Sequence, residues 1–156
     1  MRRILVIANQ TLGGNHLAEV IRARAAVGPL DVLLMVPVTH HTDLLVALAE
    51  AFAVQGGMRP PAQSYDADLD AKNRAAAGVT WLGGLGVSAS GEVVGHDPLP
   101  DIRESLAHHD VDEVIISTLP AGVSRWLHQD LGHRIRRVTA APVTVVTADQ
   151  PGEPQL

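Results

Sequence analysis

The sequence predicts an α/β domain built as a doubly wound, five-stranded parallel sheet with helices on both faces, a Rossmann-like arrangement. Three observations carry this. Short strand-like runs recur at Ile4–Ala8, Val32–Val36, Val87–Val94, Val114–Ser117 and Val143–Thr147. Stretches of helical period separate them, so strands and helices alternate. The runs at Ile4–Ala8 and Val32–Val36 are continuous rather than alternating in polarity, as in strands covered on both faces. Buried strands alternating with helices imply a parallel sheet with right-handed crossovers.

Taken in order, Ile4–Ala8 is the first strand, and the polar Asn9–Asn15 loop after it carries Gly13-Gly14. A helix is expected over His16–Ala26, with Leu17, Val20, Ile21 and Arg24 at helical spacing, Asn15 as its N-cap and Gly28-Pro29 as its stop. The second strand, Val32–Val36, leads into the loop Pro37–His41, and Leu44–Val54 is a second helix. Gln55–Ser64, with Gly56-Gly57 and Pro60-Pro61, reads as an exposed loop. A helix over Tyr65–Leu82 would direct Leu69, Ala76 and Leu82 to one face, with Gly78 weakening its middle. In the next strand Gly91 suggests a bulge or bend. Asp97 is the expected cap of a helix that ends near His108 and buries Ile102 and Leu106, and Pro98 suits its first turn. Asp110, Asp112 and Glu113 read as a solvated turn before the fourth strand. The last crossover runs from Val114–Ser117 through the loop Thr118–Val123 and a helix from Ser124 to about Arg137, then Pro142 and the final strand.

The 156 residues fit one domain, expected over 1–147, with 148–156 as a flexible C-terminal tail. A hydrophobic fraction of 46% and mean hydropathy of +0.13 supply a packed core, and the 3% aromatic content leaves Val, Leu, Ile and Ala to fill it. A net charge of −5 and a pI near 5.8 give no basic footprint for nucleic acid. The absence of cysteine excludes disulfides, thiol nucleophiles and Cys-based zinc sites. Arg2-Arg3 precede an apolar run too short for a signal peptide, and no stretch approaches the roughly 18 apolar residues of a membrane span, so a cytoplasmic protein is expected.

Doubly wound sheets bind ligands beyond the carboxyl ends of their strands, where the strand order reverses. The loops converging there would be Asn9–Gly14 and Thr118–Val123, with Pro37–His41 alongside. Ser124-Arg125 at a helix start suits an anion, which free N–H groups and a guanidinium fork would hold together; the plainer reading is an N-cap serine and a solvated arginine. Thr118 could donate to the same anion or bond backbone at a strand end, and Asn9 could meet a base or ribose or satisfy its own turn. Neither a Gly-x-Gly-x-x-Gly fingerprint nor a P-loop Lys-Ser/Thr is present. The eight histidines lack metal-ligand spacing: His40-His41 and His108-His109 are adjacent, and His128 and His133 fall on different helix faces, so no metal is expected. Trp81 and Trp126 read as core or interface anchors. No catalytic constellation can be assembled, because Ser117 has no Gly-x-Ser-x-Gly around it.

The order of elements, the closing Ala141-Pro142-Val143-Thr144-Val145-Val146 and the Gly95-His96-Asp97-Pro98 turn resemble a universal stress protein domain over about residues 3–147. The resemblance implies the sheet order 3-2-1-4-5 of the adenine-nucleotide α-hydrolase-like superfamily. It also implies an ATP or AMP ligand held without catalysis, and a homodimer formed through the last strand. The nucleotide-binding members share a loop after strand four of the form Gly, two residues, Gly, nine residues, Gly, then Ser or Thr. Here Gly122 and Gly132 bracket nine residues, Leu119 stands at the first glycine position, His133 at the final hydroxyl position, and Asn9 where an Asp is usual. The ligand-binding residues so implied are Ala8, Asn9, Val38, Thr118, Pro120, Gly122, Ser124, Arg125 and Gly132. Two functions remain open: a non-enzymatic nucleotide- or phosphate-binding domain, and a ligand-free interaction module that dimerises through Val143–Val146. A nucleotidyl transferase or phosphate hydrolase of the same superfamily is disfavoured by the lack of a His-x-Gly-His or Ser-Gly-Gly-x-Asp-Ser motif.

Overall fold

The computed structural model describes residues 1–8, 12–38, 67–95, 97–118 and 131–147. Within them run β1 (Arg2–Ile7), α1 (Asn15–Ala25), β2 (Leu30–Pro37), α2 (Ala67–Gly84), β3 (Ser88–Val94), α3 (Leu99–His108), β4 (Glu113–Thr118), α4 (Leu131–Arg136) and β5 (Val143–Thr147). The strands form one parallel sheet in the order β3-β2-β1-β4-β5, as expected. The expected helix over Leu44–Val54, the loop Gln55–Ser64, the helix start at Ser124 and the tail 148–156 lie outside the described residues.

Side-chain alternation along the strands divides the core in two. Ile4, Val6 and Ala8 of β1 and its extension, with Val32, Leu34 and Val36 of β2, Ile115 of β4 and Val146 of β5, pack against Leu17 and Ile21 of α1 and Ala71, Ala75 and Leu82 of α2. Leu5, Ile7, Met35, Val114 and Ile116 point to the opposite face, where Leu99 and Ile102 of α3 and Leu131 and Ile135 of α4 cover them. A helix layer on each face is the doubly wound arrangement. Each fully buried Leu or Ile contributes about 1.5–3 kcal/mol, so β1 and β2 at the centre anchor the domain.

The structure corrects several local expectations. Asn15 is the first residue of α1, and its N-cap is Gly14, which makes no side-chain cap. Gly13, at φ +86, turns the chain so that the Gly14 carbonyl accepts from Ala18 N at 3.1 Å. In α2 the inward face is Ala71, Ala75, Gly78 and Leu82, whereas Leu69 is 54% exposed and Ala76 faces out. Gly78 is a packing residue: a Cβ there would lie 2.6 Å from Leu34 Cδ2, on the fully buried side chain that α2 rides over. Gly91 forms no bulge, since β2 and β3 pair without interruption from Asp31↔Ser88 to Pro37↔Val94. A Cβ at Gly91 would lie 2.9 Å from Val79 Cγ2 and 3.3 Å from the Ala75 carbonyl oxygen. Both glycines let α2 lie close on β2 and β3.

Three strands also begin earlier than the apolar runs suggest, because polar pairs hold their amino ends. Arg3 Nε donates to Asp31 Oδ2 at 2.8 Å, joining β1 to β2. Arg3 N donates to Asp112 Oδ2 at 2.8 Å, and Asp112 N returns a bond to the Arg3 carbonyl at 2.8 Å. Glu113, expected in a solvated turn, is instead the first residue of β4 and 3% exposed.

Candidate functional site

At the carboxyl end of the sheet the crossover direction reverses between β1 and β4. The chain leaves β1 through α1 toward β2 and reaches β4 through α3 from the far edge. This is the position at which open α/β sheets form a ligand crevice. The register places Ile7 of β1 opposite Ile116 of β4, so Ala8 and the Ser117–Thr118 strand end follow side by side.

The expected site residues divide into those the structure places and those outside the described residues. Ala8 is buried, and its N–H donates to the Met35 carbonyl at 3.1 Å. Val38, just past β2, is buried and donates to the Val94 carbonyl at 2.9 Å. Both amides are thus committed to the sheet, and a base held there would have to meet backbone oxygen. Thr118 is the final residue of β4 rather than the first of a loop, 2% exposed and opposite Thr147 of β5. Alternation turns it toward the α3–α4 face and Ser117 toward α1. Gly132, the second residue of α4, is buried against the sheet; a Cβ on it would lie 3.8 Å from Ile116 Cδ1 and 3.9 Å from Val145 Cγ2. Asn9, Pro120, Gly122, Ser124 and Arg125 lie outside the described residues.

The far wall is stitched by charge. Asp97 accepts a forked pair from Arg134, NH1 to Oδ1 at 3.2 Å and NH2 to Oδ2 at 3.1 Å, which ties α4 to the start of α3. Asp97 Oδ1 also accepts from Leu99 N at 3.3 Å, so it braces the helix start, although the N-cap is Pro98 rather than the expected Asp97. Asp101 Oδ2 accepts from Gly95 N at 3.1 Å and closes the turn. On the near side His16, in the first turn of α1, lies 2.9 Å from the Thr147 carbonyl through its Nδ1. Among the described residues no group of three or more His, Asp or Glu could hold a metal ion, and no helix is long and apolar enough to cross a membrane.

The strongest electrostatic cluster sits at the opposite, amino end of the sheet. Arg24 of α1 grips Glu113 in a fork, Nε to Oε2 at 2.9 Å and NH2 to Oε1 at 3.0 Å. Arg2 NH2 adds a bond to Oε2 at 3.3 Å, and Thr144 Oγ1 donates to Oε1 at 2.8 Å. The Arg24 bonds hold the Glu113 carboxyl below its ordinary range against the opposing effect of burial, with Thr144 and the charges of Arg24 and Arg2 helping. The same hydrogen bonding raises Arg24, again against burial. One sequence signal for this cluster was Arg24 itself, a charge on the apolar face of an amphipathic helix, which calls for a buried partner.

The arrangement defines a class: a small α/β domain whose parallel sheet reverses its strand order between β1 and β4. Comparison with solved structures finds likenesses to that class. The chain is similar over 96% of its length to the hypothetical protein MJ0577, whose structure served to assign its biochemical function, at 16% identity and a TM-score of 0.62, covering 97% of that chain. It is similar to a universal stress protein from Archaeoglobus fulgidus at 14% identity and TM-score 0.54, covering 94% of this chain and 98% of that one. A universal stress protein family protein from Arabidopsis thaliana with AMP bound matches at 11% identity and TM-score 0.55, covering 99% and 97%. The fold is that of the universal stress proteins. No protein-family model matches the sequence, and no curated protein does.

Proposed function

We propose that this domain binds an adenine nucleotide, ATP or AMP, or another phosphate-bearing ligand, without catalysis, in the crevice beyond β1 and β4, and does so in the cytoplasm. The observation that carries the reading is the strand-order reversal at β1 and β4, in a fold shared end to end with a universal stress protein family protein that has AMP bound. In this reading the Ala8–Asn9 and Val38 backbones orient the base. Thr118, the Pro120–Gly122 loop, Ser124, Arg125 and Gly132 surround the phosphates, where helix amides and a guanidinium favour negative charge. Calorimetric titration with AMP and with ATP tests it: Arg125→Ala weakens binding at least several-fold, and equal curves for mutant and parent would overturn the assignment.

A second reading is favoured by two observations. The outer strand β5 leaves Val145 43% exposed at a sheet edge, and Leu119 and His133 stand where nucleotide binders of this fold carry glycine and a hydroxyl residue. The protein would then be a ligand-free module that forms a homodimer through β5. Native mass spectrometry of gently desalted protein separates the two: a co-purifying nucleotide supports the first, and a bare dimer the second.

A further inference from the structure

We infer that β5 is a detachable strap, clasped at its carboxyl end by α1 and at its amino end by Glu113 of β4, and held little by burial. Among the described residues it is bonded in the sheet to β4 alone. Of its five residues only Val146 is buried, and Val145 is 43% exposed. α4 lies over one face, with Val145 Cγ2 at 3.9 Å from where a Gly132 Cβ would be. A strand with so little apolar burial belongs to the low-stability end of a fold unless other bonds secure it.

Two side-chain bonds do so. At the carboxyl end, His16 Nδ1 meets the Thr147 carbonyl at 2.9 Å, and because a carbonyl only accepts, Nδ1 carries the proton. At the amino end, Thr144 Oγ1 donates to Glu113 Oε1 at 2.8 Å, and Glu113 is itself gripped by Arg24. His16 lies in the first turn of α1 and Arg24 in the last, so the helix bonds the strand's carboxyl end directly and supports its amino end through Glu113 of β4. Opening the clasps would bare β4, whose six residues are all buried while β5 is in place.

Native-state hydrogen exchange of the full chain in low urea tests this. The β5 amides should exchange through an opening with weaker urea dependence than the β1 amides. Thr144→Val, which keeps shape and branching, and His16→Ala should each speed β5 exchange, on the order of fivefold for one net hydrogen bond. Val87→Ala, buried at the opposite side of the sheet, should speed β1 exchange and leave β5 unchanged, because its contacts survive when the strap opens. The inference is overturned if β5 matches β1 in urea dependence, if Val87→Ala speeds both alike, or if neither clasp variant speeds β5.

Discussion

Replacing Glu113 by Gln removes the charge that Arg24 and Arg2 surround while keeping the side chain's size. Glu113 is 3% exposed and accepts four hydrogen bonds, three of them from guanidinium groups. Breaking a fully buried pair costs about 3–5 kcal/mol, whereas an exposed pair is worth about 0–1. Here the arginines keep water contact, with Arg24 31% and Arg2 40% exposed at the side chain, so about 2–3 kcal/mol is expected. In a domain of this size that lowers Tm by roughly 5–10 °C. The pH dependence follows from the direction of the shift. The folded-state carboxyl lies below its unfolded value, so its stabilisation is fully present above the ordinary value of 4.5 and is lost as pH falls through the depressed one. Urea unfolding of parent and variant at neutral pH and again in acid reads both effects. The stability gap should be wide at neutral pH and narrow in acid, with unchanged urea slopes. A gap below about 0.5 kcal/mol at neutral pH, the range of ordinary surface substitutions, or one of constant width across the titration, would refute the reasoning.

Other substitutions probe the packing of α2 and the candidate site. Gly78→Ala gains about 1 kcal/mol of helix propensity but drives a methyl into Leu34, at an overpacking cost of about 1–3 kcal/mol; a lowered urea midpoint is expected. Gly132→Ala meets its neighbours only at ordinary contact distances, so the fold should be as stable or up to about 1 kcal/mol more stable. If phosphate lies against that backbone, as proposed, the same variant loses nucleotide affinity in calorimetry while its thermal stability holds.

Strands were legible wherever burial on both faces removes polar residues: Ile4–Ala8 and Val32–Val36 could be read directly, and the order of elements followed from them. What failed to show was polar burial and close approach. Asp112-Glu113 looks like a solvated turn because Arg24 on an apolar helix face signals a buried partner without showing which distant carboxylate it and Arg2 reach. Gly91 looks like a bulge and Gly78 like a weak point because both readings weigh backbone freedom, while the structure uses the missing Cβ. Leu69 and Ala76 went to the wrong face because the small residues Ala71, Ala75 and Gly78, not the large ones, meet the sheet. At the candidate site the sequence located Ala8 and Val38 at strand ends, but not that their amides are spent on the sheet.

The close seating of α2 has an evolutionary corollary. Ala75, Gly78 and Gly91 line a single seam, and a bulkier side chain at any one of them lifts the helix away from the other two. In related sequences these three positions should therefore change together or not at all: a lineage that enlarges one must tilt or shorten the helix. Departures at this seam would mark branches whose β3 edge has been rebuilt.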